Sequence, residues 1–100
     1  MEKKRPHCPL ERVHRLVTSG RVRATGSAFI GARALGIVDL DGMCRVLLAL
    51  TMKNFFKSMT THADHSIWQD VYRTQTDLGD AVYLKLTVID DVLIVSFKEL

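Results

Sequence analysis

A chain of 100 residues holds one core, since separate cores need at least ~50 residues each, and a large multi-lobed enzyme is excluded. With 47% hydrophobic and 25% charged residues it can bury that core and is not a disordered tail. The net charge of +3 leans toward a polyanionic partner, far short of a histone-like excess.

Three helices are predicted between Leu10 and Leu50, where apolar residues recur at helical spacing. The first carries Leu10, Val13, Leu16 and Val17 and stops at Ser19 and Gly20. After a short extended piece, Arg21 to Ala24, Thr25 is the N-cap of a second helix bearing Phe29, Ala32 and Leu35, with Gly36 closing it. The third begins near Asp39 to Asp41 and stacks Met43, Val46, Leu47 and Leu50. Past Thr51 the period becomes alternating, and strands are expected near Phe56 to His62, Ile67 to Thr74, Ala81 to Val88 and Val92 to Phe97. The polar stretch Thr74 to Asp80 is a loop. Helices followed by an antiparallel meander make an α+β fold, with the helices on one sheet face.

The other sheet face is the candidate site. In Ala81 to Val88, Val82, Leu84, Leu86 and Val88 point to the core, while Tyr83, Lys85 and Thr87 point to water. If Asp90 and Asp91 form a two-residue turn, Ile89 faces Val92, Thr87 faces Ile94, Lys85 faces Ser96 and Tyr83 faces Lys98. One patch then gathers a phenol and two ammonium groups. A five-residue loop, His62 to Ser66, adds Lys57 and Gln69 to a common face beside Met59; a four-residue loop splits them, because a one-residue slip turns every side chain over. Trp68 and Tyr72 share the face opposite Gln69 and are read as core. Phe56 to His62 is expected at a sheet edge, open to an added partner strand.

Such a patch suits RNA cleavage without a metal. When the 2′-hydroxyl attacks its own phosphate, the transition state needs fixed positive charge, which lysines supply, and a group that carries protons, for which Tyr83 is the candidate. Gln69 cannot titrate but can hold a phosphate or a base edge. Lys85, Arg73, His62, His65 and His7 are candidate RNA contacts. A non-catalytic module that binds RNA or protein through the same basic face is the alternative. The string GIVDLDGM mimics a phosphatase motif whose fold a chain of this length cannot hold, so Asp39 and Asp41 are read as a helix start. His62 and His65 are too few for a metal site, and no cofactor is expected. Cys8 and Cys44 lie far apart without a signal peptide, so no disulfide framework is expected, and with no apolar run long enough for a membrane span the expected compartment is the cytoplasm.

The runs FFKSMTTHADHSIWQDVY and VYLKLTVIDDVLIVSFKEL, with DGMC at Asp41 to Cys44 and MEKKRPH at the start, resemble the motility quorum-sensing regulator (MqsR) family of toxins over nearly the whole chain. The resemblance implies a RelE-like α+β fold and endoribonuclease cleavage of mRNA at GC-containing triplets, notably GCU, without the ribosome. It implies a zinc-carrying, helix-turn-helix antitoxin of the MqsA kind; the sequence leaves the oligomeric state of the toxin open, a monomer when free being one reading. Its functional positions fall on Lys57 in KSMTT, Gln69 in IWQDVY, Tyr83 in VYLK and Lys98 in SFKE, the residues reached above from strand faces.

Overall fold

The computed structural model describes residues 1–100. A two-residue strand β1 (Glu2–Lys3) precedes helix α1 (Leu10–Thr18), strand β2 (Val22–Ala24), helices α2 (Gly26–Ala34) and α3 (Leu40–Leu48), and strands β3 (Phe55–Thr60), β4 (Trp68–Gln75), β5 (Ala81–Val88) and β6 (Val92–Glu99). The starts of α2 and α3 follow from their caps. Thr25 Oγ1 accepts from the Ala28 amide at 3.1 Å, and Asp39 Oδ1 accepts from the Gly42 amide at 2.9 Å, each satisfying a donor with no partner inside its helix. Leu35 caps α2, and Gly36 follows in the left-handed region at φ 82°, where a side chain would be strained.

The six strands form one sheet in the order β1-β3-β4-β5-β6-β2. The expected antiparallel meander is its centre, but the sheet is mixed. Arg21 to Ala24, expected as a connector, supplies β2, which runs parallel to β6 with Val22 opposite Val92 and Ala24 opposite Ile94. Val22 thereby joins the core. The open edge expected at Phe56 to His62 is covered over its middle. β1 lies outside β3, with Glu2 opposite Met59 and Lys3 opposite Ser58, so those positions already have a neighbour.

β3 and β4 pair as the five-residue loop requires, with Met59 opposite Gln69 and Lys57 opposite Val71. Asp64 sets this loop: its Oδ1 accepts from the Ser66 amide at 2.8 Å and from the Ser66 hydroxyl at 2.6 Å. The β5–β6 turn departs from the expected pairing. A two-residue hairpin turn of type I′ needs positive φ at both central positions, and no residue other than glycine has positive φ in this chain. The turn takes three residues instead, with Val88 opposite Val92 and Leu86, not Thr87, opposite Ile94. A bulge at Val95 then restores the register, and Lys85 faces Ser96 and Tyr83 faces Lys98 as expected.

The helices cover one sheet face. Val13, Val17, Ala28, Ala32, Met43 and Leu47 pack with Tyr72, Val82, Leu84, Leu86, Ile94 and Phe97 in one apolar cluster. α2 lies closest, because Gly31 has no side chain: a Cβ there would stand 1.9 Å from the Phe97 carbonyl oxygen. Tyr72 is fully buried, and its hydroxyl has no hydrogen-bond partner.

Candidate active site

The face away from the helices is organised in rows by strand pairing, with neighbouring strands ~4.8 Å apart. One row runs Glu2, Met59, Gln69; the next runs Lys57, Val71, Lys85, Ser96; the third runs Arg73, Tyr83, Lys98. Lys57, Gln69, Tyr83 and Lys98 therefore share one face of four adjacent strands. The face is not uniformly wet. Val71 is fully buried outside the apolar cluster, and Thr87, expected in water, is buried too, so the cations stand around a dry centre rather than on an open surface.

Each cation has a distinct neighbourhood. Lys98 on β6 is exposed, with its ammonium 5.3 Å from the centre of the Tyr83 ring. Lys85, half-buried, approaches the same ring at 5.9 Å. Two ammonium groups thus lie within about 6 Å of the Tyr83 ring centre, within the range of a cation–π contact. Burial, reinforced by the positive charges of Lys98 and Lys57, holds the Lys85 ammonium below the ordinary lysine value of 10.5. Lys57, with a quarter of its side chain exposed, is ion-paired with Glu2, and this contact holds the Glu2 carboxyl below the ordinary carboxylate value. Arg73 stacks its guanidinium 3.7 Å from the Phe56 ring centre, and Lys4 and Lys57 each approach that ring at 5.4 Å.

A groove of about 400 Å³ crosses this face, lined by Glu2, Met59, His62, Gln69 and Lys85 among others. His62 reaches it from the exposed β3–β4 loop; His65, in the same loop, does not line it. His7 stands elsewhere. Its ring stacks on Trp68 at 5.4 Å, its Nδ1 is 3.0 Å from the Lys3 ammonium, and Lys3 and Trp68 pair into rows on the helix side of the sheet.

Two residues beyond the expected set shape the site, one on its face and one behind it. Glu2 arrives because β1 pairs with β3, a contact between segments some fifty residues apart that no local pattern announces. Asp70, next to Gln69 but on the opposite face, anchors that arrival. Its buried carboxylate accepts from the His7 amide at 2.9 Å, the Cys8 amide at 3.0 Å and the Ser58 hydroxyl at 2.6 Å, tying the N-terminal segment across β3 and β4. The run of polar residues in IWQDVY was the available signal, since an acid within an apolar strand requires partners.

What this face can do follows from its groups. Fixed ammonium groups favour a phosphodiester, the amide of Gln69 can orient it, and the phenol can exchange protons. Residues 5–99 match the family model described as motility quorum-sensing regulator, toxin of MqsA. The chain is also 58% identical over 99 residues to the mRNA interferase toxin MqsR of Escherichia coli (strain K12), covering 99% of each chain. On this evidence the chain belongs to the motility quorum-sensing regulator family of toxins.

Proposed function

We propose that this protein is a metal-independent mRNA interferase of the cytoplasm. It cuts at GC-containing triplets such as GCU, leaves a 2′,3′-cyclic phosphate and a 5′-hydroxyl, and is neutralised by a zinc-carrying helix-turn-helix antitoxin. Lys57 and Lys98 stabilise the phosphorane, Tyr83 moves a proton and Gln69 orients the substrate. Lys85, Arg73 and His62 hold the flanking RNA. The observation that carries this reading is the approach of both the Lys85 and the Lys98 ammonium groups to the Tyr83 ring, on the face that also bears Lys57 and Gln69. Positive charge and a proton carrier on one face are what cleavage by the neighbouring hydroxyl demands, and the name of the E. coli relative points the same way.

The test is incubation of the purified protein with a GCU-containing transcript in EDTA, with the cut ends mapped. Cleavage is expected for the parent and is expected to fall at least ~100-fold in Tyr83→Phe. Intact RNA at stoichiometric protein, RNA bound but uncut, or cleavage that demands Mg²⁺ would each reject the proposal.

A further inference from the structure

The wet face centres on a lysine that the mechanism above uses only to hold RNA. Lys85 stands in one row with Lys57 and one row from Tyr83 and Lys98, so it is the residue around which the other groups are arranged. Its side chain lines the groove that Gln69 and Glu2 also line, and the fully buried Val71 beside it gives its stem an apolar support. The departing 5′-oxygen needs a proton, and four of the neighbouring groups are poorly suited to give one. Gln69 does not titrate, the Glu2 carboxylate is held in its ionised form by Lys57, the Lys57 ammonium is engaged by that carboxylate, and Lys98 is exposed on the outer side of the patch.

We propose that Lys85 is a catalytic residue, the acid that protonates the departing 5′-oxygen. The inference rests on the ribonuclease reading above and assigns a role within it. A lone pair of the 2′-oxygen forms the new bond to phosphorus, and the electrons of the P–O5′ bond leave with the 5′-oxygen. That oxygen takes a proton from the Lys85 ammonium. The proton of the 2′-hydroxyl passes to the Tyr83 hydroxyl as that hydroxyl hands its own proton to the Lys85 amine, so the protein ends as it began. The depressed affinity of Lys85 for its proton, set by burial and by Lys98 and Lys57, makes it a better acid than an ordinary lysine.

The experiment uses an oligoribonucleotide that the parent cleaves, resynthesised with sulfur in place of the 5′-bridging oxygen at the cut linkage. A thiolate leaves without being protonated. Lys85→Ala is expected to lower kcat by about 10²- to 10⁴-fold on the oxygen substrate and by less than about tenfold on the sulfur one. Lys85→Arg, which keeps the charge but does not release its proton, is expected to stay slow on oxygen and fast on sulfur. Equal losses on both substrates, an undiminished oxygen rate in Lys85→Ala, or full recovery by Lys85→Arg would each overturn the assignment. A parent for which no GCU-containing oligoribonucleotide is a substrate overturns the ribonuclease reading itself, whereas a parent that cuts both forms with indifferent Lys85 variants overturns only the role of Lys85.

Discussion

Gly31→Ala sets two magnitudes against each other. Within a helix, alanine is favoured over glycine by about 0.8–1.0 kcal/mol, so propensity alone makes this substitution stabilising. In α2 the new methyl would lie 1.9 Å from the Phe97 carbonyl oxygen and 3.3 Å from the Lys98 Cα. Side-chain carbons essentially never approach closer than 3.0 Å, so α2 and β6 must separate by about 1 Å, backbone against backbone. Overpacking costs about 1–3 kcal/mol, and with no flexible side chain to yield, the upper part of that range applies. The expected net is a loss of about 1–2 kcal/mol, read as a lower urea midpoint with unchanged slope. Because the strand that must move carries Lys98, cleavage is expected to fall with it; a 1 Å misplacement can cost about 10²-fold. Gly26→Ala is the control, since a Cβ at Gly26 meets nothing within 4 Å, and it is expected to be neutral or mildly stabilising. A Gly31→Ala protein as stable as the parent would refute the close approach of α2 to β6.

Asp70→Ala strands two backbone amides and the Ser58 hydroxyl, and is expected to cost roughly 2–4 kcal/mol by thermal or urea unfolding. Tyr72→Phe removes a buried hydroxyl without a partner and is expected to stabilise by about 1 kcal/mol, measured the same way. Glu2→Gln frees Lys57 for a phosphate, so affinity for a 2′-deoxy analogue of the substrate should rise, and the slope of log K against log salt should steepen by about 0.7. Lys85→Met should be more stable than the parent at neutral pH. Because the folded protein binds the Lys85 proton less tightly than the unfolded chain, the ammonium carries its full cost below its folded value, and that cost disappears as pH rises toward 10.5. The gap between variant and parent in unfolding midpoint should therefore narrow over that window; a constant gap would mean that packing and not charge is responsible.

Much of this site is written in local pattern. Alternation along Ala81 to Val88 assigns Tyr83 and Lys85 to one face and Leu84 and Leu86 to the other, because successive residues of a strand point to opposite sides. The spacing around His62 to Ser66 includes the register that joins Lys57 to Gln69, and only the folded loop, stapled by Asp64 and Ser66, selects it over its four-residue rival. The Tyr83–Lys98 pair follows from the sequence only through a turn one residue too short; the bulge at Val95 makes up the difference. Caps likewise announce α2 and α3, and helical spacing announces α1, from adjacent residues alone.

The remainder belongs to contacts between distant segments. β1 beside β3 delivers Glu2 to Lys57, β2 beside β6 makes the sheet mixed, and the Asp70 carboxylate holds the segment bearing His7 on the helix side with Trp68. Strands of two and three residues carry no periodicity of their own. They form because a sheet edge and a buried carboxylate present unpaired acceptors and donors, and which distant segment meets that need depends on the whole fold. Side-chain faces are thus a property of neighbouring residues, whereas the companions of each catalytic candidate are a property of the assembled sheet.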